Sequence, residues 1–558
     1  MLRLAPLIAI AVLILPISSG VLATLLPAFG WFPALGGTTV SAEPFRELFR
    51  EPGIWQSVWL SLKTGLLTTM ISLGLVVAFF AAWSGTRLFE RMRHLVSPLL
   101  AIPHAAAAFG LAFMIAPSGS LMRLVSPELT GFVTPPDWQI LMDPGGLSMS
   151  AGLIVKEVPF LFLVTLAAMP QARAGDFHRV ASGLGYGRMA GFVFTVWPQL
   201  YPQIRLAVFA VIAYATSVVD VALILGPTSP APLAVRLVGW MGDPDLAMRF
   251  KASAGAILQL GLTVSALLIW IVLEKAGSAL LQVCSLSGIR YLRDGALRWF
   301  SGGAMALAAV LVLAGLAVLA IWSFAGYWAW PDAVPRSFTL KTWMRSLDAV
   351  SGPLWITLLL GLAAMVIAIV IVIASLENEA RTGRTGGSRS LWLLYLPLIM
   401  PQPAFLFGLK MFFLAFGVGT GFAALVSVHL VFVLPYVFLS LADPWRAWDS
   451  RYAQVSATLG GTRNDTFWKI RLPMLAGPVL VAAAIGFAVS VGQYLPTVLI
   501  GAGRWPTLTT EAVALASGGD RRVIGVYAFL QMFLPFAGFA IAALVPAAMF
   551  ANRRAMRA

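Results

Sequence analysis

RVASGLGYGRMAGFVFTVWP, from Arg179 to Pro198, and QVSATLGGTRNDTFWKIRLP, from Gln454 to Pro473, are one polar sentence written twice, about 275 residues apart. Each copy holds a Leu-Gly pair, Leu184-Gly185 and Leu459-Gly460, and each ends on a proline at the same spacing, Pro198 and Pro473. Apolar segments flank both copies. A basic loop repeated between apolar segments points to a docking surface for something outside the apolar phase.

Composition identifies that phase as lipid. Of 558 residues, 59% are hydrophobic and only 11% are charged, more apolar surface than a water-soluble domain can bury. A spanning helix needs about 20 apolar residues. By that measure the chain reads as an all-α polytopic membrane protein of about twelve spans, near 5–29, 54–83, 95–117, 148–169, 203–226, 253–274, 299–324, 353–375, 391–416, 421–442, 476–500 and 523–550. The N-terminal run, with Arg3 ahead of an apolar stretch, resembles a signal peptide. It is long and lacks a clear small-residue cleavage site, so it reads as a retained anchor. The single cysteine, Cys284, excludes an intrachain disulfide. His94, His104, His178 and His429 are scattered, and no metal site is expected.

A net charge of +15 raises the question of nucleic acid, but the location of the charge answers it. Arginines cluster in short loops: Arg87, Arg91 and Arg93; Arg173, Arg179 and Arg188; Arg290, Arg293 and Arg298; Arg381, Arg384 and Arg389; then the tail Arg553, Arg554 and Arg557. All fall on one side of a twelve-span arrangement, as the positive-inside rule requires. That side reads as the cytoplasm, with both termini there, so lipid rather than nucleic acid is the partner of the charge. The opposite loops mix signs, as in Glu43, Glu47 and Glu51 beside Arg46 and Arg50.

The repetition extends beyond the loop. Ile102 to Leu111 (IPHAAAAFGL) matches Met400 to Leu409 (MPQPAFLFGL) in its proline, phenylalanine and Gly-Leu positions. Trp59 to Gly65 (WLSLKTG) parallels Trp355 to Gly361 (WITLLLG), and Leu225-Gly226 and Ile500-Gly501 keep the offset of the loops. The first copy holds about 23 extra residues, which fit an outer loop near 118–147. Two homologous six-helix halves are expected, 1–285 and 286–558, joined through the basic stretch near Lys275 to Arg298.

The repeated loop resembles the EAA motif of binding-protein-dependent ABC importer permeases, E-A-A-x3-G-x9-I-x-L-P. In the second copy Gly460, Ile470, Leu472 and Pro473 match, while Gln454, Val455 and Ser456 stand at the E-A-A positions and the acid is missing. In the first copy Ala181, Gly185 and Pro198 match, and Arg179 replaces the acid. The resemblance covers both halves and implies the type I ABC importer permease fold in its fused form. The layout and the stretch LLPAFGWFPALGG are most similar to fused permeases of the thiamine type or ferric-iron type. It also implies two copies of an ABC ATPase subunit docked on the loops, which bind ATP and Mg, and a periplasmic solute-binding protein. The chain itself would hold no cofactor.

The loop chemistry suits docking independently of the resemblance. Gly460 permits the turn out of a surface helix, and Pro473 suits the start of the next span. Phe467, Trp468 and Ile470 offer an aromatic-aliphatic knob, with Asn464, Asp465, Lys469 and Arg471 as a polar rim. No G-x-x-x-x-G-K-[ST] phosphate loop occurs; Lys63-Thr64 lacks the preceding glycines. The alternative is a solvated basic connector, which duplication at fixed spacing disfavours.

Polar groups inside spans are candidates for a solute path, because a charge at membrane depth is expensive unless paired or wetted. Lys156, Glu157, Asp220, Gln493 and Tyr494 are the foremost, with Lys63, Lys410, His104, Gln402 and His429 as further polar positions. Lys156 and Glu157 can equally be a mutually satisfied pair, and Asp220 can equally pair with a lysine for stability. A thiamine-like cation would be attracted by Asp220 or Glu157 and faced by Tyr494; ferric iron would find its oxygen ligands on a soluble receptor. An ion-coupled secondary transporter shares the twelve-span layout, but the repeated loop and the scarcity of buried acids count against it. A membrane enzyme would need a convergent nucleophile, metal or acid-base group, and no such spacing is present.

Overall fold

The computed structural model describes residues 2–383 and 387–549. Arg384 and the tail arginines Arg553, Arg554 and Arg557 lie outside the described residues, as does the side chain of Arg389. Two isolated bridges apart, every regular element among the described residues is helical. Among the described residues the main helices are α1 (Ala5–Ala28), α2 (Ile54–Trp83), α3 (His104–Ile115), α4 (Leu147–Ala168), α5 (Trp197–Ser217), α6 (Met248–Leu286), α7 (Gly295–Phe324), α8 (Lys341–Thr382), α9 (Gln402–Ala415), α10 (Phe422–Arg446), α11 (Ala476–Val491) and α12 (Arg521–Met549), with Ser388–Ile399, as long as α3, leading into α9.

Their order is the same twice over, down to the minor elements. A short surface helix follows both α4 and α10, at Ala174–Gly183 and Arg451–Thr458. A wide π turn precedes each loop's proline, at Phe192–Val196 and Thr466–Arg471. In each, the residue just before the proline donates five residues back, Trp197 to the Phe192 carbonyl and Leu472 to the Phe467 carbonyl, which is the π pattern.

Nine helical stretches are long and apolar enough to cross a membrane among the described residues, and eleven if two bent pairs each count as one span. The pairs are Leu391–Ile399 with α9, bent by 90°, and Arg463–Met474 with α11, bent by 70°. The expected stretch not counted among them is 203–226. That stretch is α5, a break at Val218-Val219, and a separate short helix Asp220–Leu225. Pro198, Gln199, Pro202, Gln203 and Arg205 dilute the apolar character of α5. The expected span 476–500 is broken likewise, at Gly492-Gln493, before the helix Leu495–Gly501.

Backbone freed by such breaks cannot be left bare at membrane depth. The equivalent residues Thr216 and Val491 carry the freed carbonyls, and each finds a glutamine on the last helix of its series. Gln259 on α6 donates to the Thr216 carbonyl at 3.1 Å. Gln531 on α12 donates at 2.8 Å to the Thr509 hydroxyl, which in turn donates to the Val491 carbonyl at 2.5 Å.

The two series exchange their first helices. α1 lies against α9, and α7 lies against α3, each accompanied by the last helix of its own series. Both apolar cores are therefore mixed. One holds Phe79, Phe80, Phe109 and Phe162 together with Leu319 of α7 and Ala528 of α12; the other holds Phe405, Phe407 and Trp445 together with Leu13 and Ile17 of α1. Lipid is as apolar as these side chains, so close packing rather than escape from water holds the crossings. Glycines make the approach possible. A Cβ on Gly408 would stand 2.0 Å from the Gly20 carbonyl oxygen, and one on Gly110 would stand 2.8 Å from the Gly315 carbonyl carbon.

Candidate functional site: repeated loops and a polar cluster

Both repeated loops turn on the same backbone. Gly185 and Gly460 each sit at φ +79°, a left-handed conformation that a β-carbon disfavours. The turn ends the surface helix and leaves one apolar pair uncovered on it. Val180 and Leu184 in the first loop are each 57% exposed; their equivalents Val455 and Leu459 are 57% and 82% exposed. At a spacing of four residues they stand one above the other on one helix face. The sequence marked Leu184 and Leu459 as a repeated pair and Val455 within the motif, but not the four together as one exposed apolar face.

Phe467 and Ile470 of the expected knob are half-buried, and the Phe467 ring packs 6.3 Å from that of Trp445. Leu472 and Pro473 are likewise half-buried. Trp468 alone of the aromatic-aliphatic trio is exposed, at 64%, beside exposed Tyr452 and Gln454. Asp465 closes a capping box with Thr462 and binds Lys469 at 2.6 Å. Hydrogen bonds from Lys469 and Thr462 hold its carboxyl well below the usual carboxylate range.

The second loop is tied to α8 by charge. Buried Glu377 accepts from Arg471 at 2.9 Å and from Arg381 at 2.7 Å, and the Arg471 guanidinium lies 4.2 Å from the Trp448 ring centre. Removing the carboxylate leaves two confined cations facing each other, so Glu377→Ala should loosen this tether by about 3 kcal/mol. Limited proteolysis checks it: cleavage within 451–471 should accelerate while cleavage in the first loop stays unchanged. The first loop is tied differently, by Arg188 donating to the Ser84 carbonyl. Burial, with Arg298 nearby, lowers the Arg188 pKa from its ordinary value.

The path candidates form a cluster where the two series meet. Glu157 on α4 and Asp220 at the head of its short helix are both buried. His104 at the start of α3 lies 3.4 Å from the Glu157 carboxylate and stacks 4.6 Å from the Tyr214 ring. His104 and Tyr214 both lie near enough to the Asp220 carboxyl to interact with it. From the other series Tyr436 lies within electrostatic reach of Glu157, and Tyr494 within reach of Asp220. The His104 side chain is 33% exposed, so the cluster borders open space rather than a sealed core.

Lys156 does not close an ion pair with Glu157 among the described residues. It turns to the carbonyls of Leu99 and Leu100, at 3.2 and 3.0 Å. Asp220, in turn, meets a tyrosine rather than a lysine. Gln493 is buried in the break before Leu495–Gly501, its carbonyl accepting from Thr497 at 2.9 Å. His429 is a packing residue, bonded to Ser490 at 2.8 Å and Thr497 at 3.1 Å. Tyr214 and Tyr436 were not singled out from sequence. Their only signal is their place in a span, which a tyrosine shares with any interfacial aromatic. Among the described residues no group of three or more His, Cys, Asp or Glu could hold a metal ion.

Comparison with known proteins decides the family. The inner membrane ABC transporter permease protein YnjC of Escherichia coli is 31% identical over 514 residues, 91% of each chain. The chain belongs to the ABC transporter permeases. It is accordingly a multi-pass inner-membrane protein. No family model matches. More distant permeases match parts of the chain. The spermidine/putrescine transport system permease protein PotC of Haemophilus influenzae is 22% identical over 27% of this chain and 60% of its own length. The molybdenum transport system permease protein ModB of Mycobacterium bovis is 29% identical over 20% of this chain and 47% of its own. The permeases in these matches are thus named for different solutes, spermidine/putrescine and molybdenum.

Proposed function

We propose that this permease is the solute path of an ATP-driven importer, built as one chain from two halves, 1–285 and 286–558. The basic side is cytoplasmic and carries both termini. One ATPase subunit docks on each loop, so two copies serve the chain, and they bind the ATP and Mg. A periplasmic solute-binding protein delivers the solute to the opposite side. Closure of the ATPases rocks the halves about the cluster between them.

The observation that carries this reading is the duplicated Val-x3-Leu pair, exposed beside a left-handed glycine on both loops. An apolar pair held in water on a helix of eight to ten residues needs a partner surface, and its repetition asks for two. The loops' resemblance to the EAA motif supports the same assignment.

The cluster favours a cationic solute, thiamine being the type case. Two buried carboxylates, Glu157 and Asp220, lie within electrostatic reach of tyrosines 214, 436 and 494. Carboxylates attract a positive charge and aromatic faces receive it. An oxyanion would meet repulsion there.

Gly460→Asp tests the docking role. A side chain at φ +79° strains the turn and moves Leu459. The variant is expected to insert normally, lose co-purifying ATPase by at least threefold, and take up labelled thiamine at least tenfold more slowly in cells. Unchanged uptake together with unchanged ATPase association would remove the loop from the coupling role.

A further inference from the structure

The two loops differ in how the helix after the turn is started. In the second, the N-cap residue Thr462 accepts the Asp465 N–H at 3.1 Å, and the Asp465 carboxylate accepts the Thr462 N–H at 3.1 Å. The residue equivalent to Thr462 in the first loop is Gly187, which has no side chain to cap with. An uncapped helix start leaves backbone donors without partners.

The partners come from outside the loop. Asp294 accepts the N–H of Met189 at 3.0 Å, the position an N-cap side chain normally serves. The Arg290 carbonyl accepts the Gly187 N–H at 2.8 Å. The Arg290 guanidinium lies 4.4 Å from the Tyr186 ring centre, and the Tyr291 ring packs 5.8 Å from Phe194. A Cβ at position 187 would stand 2.1 Å from the Tyr291 carbonyl oxygen. Gly187 gives up a cap and admits a neighbouring strand of backbone. That strand, 287–294, is the connection between α6 and α7.

We propose that segment 287–294 is part of the first ATPase-docking surface and is contacted by the ATPase together with Val180 and Leu184. The two docks on this chain are then chemically different, and the connection between the halves senses one of them. The inference rests on the docking role of the loops given above. Two features make the ATPase the occupant. The segment is continuous with the first loop through one backbone hydrogen bond, Gly187 to Arg290, and one from the Met189 N–H to the Asp294 carboxylate, so a subunit seated on the loop meets it. Its exposed groups, Leu292 at 71%, Ile289 at 55% and the basic Arg290 and Arg293, extend the apolar pair and basic rim of the loop. The second dock offers Trp468 and Tyr452 instead.

Thiol labelling tests this in the full-length chain. In a Cys284→Ser background, single cysteines are placed at Val180, Leu292 and Val455. Labelling by a charged maleimide is followed in inside-out vesicles with and without the co-expressed ATPase. Protection of all three by the ATPase is expected, at least threefold. Adding Asp294→Ala should abolish protection at Val180 and Leu292 and leave Val455 protected; Asp294→Asn, which keeps an acceptor, should restore most of it. Protection of Val180 and Val455 without protection of Leu292 would overturn the inference alone. Slow labelling of Leu292 even without ATPase would place the segment in the lipid surface and overturn it as well. Absence of protection at Val180 and Val455 together would overturn the docking reading itself.

Discussion

Gly408→Leu is expected to abolish folding of the chain. α9 crosses α1 at Gly20 and Thr24, and a β-carbon at 408 would stand 2.0 Å from the Gly20 carbonyl oxygen and 2.5 Å from the Thr24 nitrogen. The Thr24 hydroxyl also accepts the Gly408 N–H at 3.1 Å. Ordinary overpacking costs about 1–3 kcal/mol because side chains give way. Here the obstacle is backbone, so the helices must separate, and with them the contact between the first helix and the other series. Detergent-solubilised variant should lose its monodisperse peak in size-exclusion chromatography, and Gly408→Ala should lose most of it. Gly74→Leu is the control: Gly74 is exposed on α2 with nothing within 4 Å of its would-be Cβ. A monodisperse Gly408→Leu chain would refute the exchanged packing.

Asp220→Asn is expected to cut uptake of a cationic solute at least tenfold while leaving the fold intact. The amide keeps the shape of the carboxylate, but the charge is gone. An isolated charge at this depth persists only where it is wetted or paired; the partly exposed His104 nearby shows that the cluster reaches open space. Tenfold corresponds to about 1.4 kcal/mol, a modest share of one charge–charge contact in a confined site. Uptake by vesicles and thermal stability should be measured on the same preparation. Uptake within twofold of the parent chain would remove Asp220 from the path.

The helical membrane architecture was legible because lipid imposes it. A span must satisfy its own backbone, so hydropathy alone marks most of α1 to α12. What hydropathy does not carry is the identity of the neighbour. Nothing in the apolar runs of α1 and α7 says that each packs on the opposite series; the signal was the small residues Gly20, Gly110, Gly315 and Gly408, which acquire meaning only in pairs. The break at Val218-Val219 was invisible for a similar reason. β-branched residues within an apolar run read as span, and the compensating Gln259 lies 43 residues from the carbonyl it satisfies.

The loops were legible as a repeat but not as a surface. Their chemistry suggested Phe467, Trp468 and Ile470 as a knob, and of these Trp468 is exposed while Phe467 and Ile470 are half-buried. Val180, Leu184, Val455 and Leu459 were present in the quoted lines all along. Identity between copies marked them better than residue type did. Asp294 had no local signal, since a cap 105 residues distant in sequence is visible only once the chain is folded.

The most direct measurement of the central claim uses the purified chain in sealed vesicles, first alone and then with its ATPase and solute-binding protein, with labelled thiamine as the probe. Accumulation should require all three proteins and internal ATP, and the chain alone should stay inert under any imposed proton or sodium gradient. Accumulation by the chain alone, driven by such a gradient, would contradict the account.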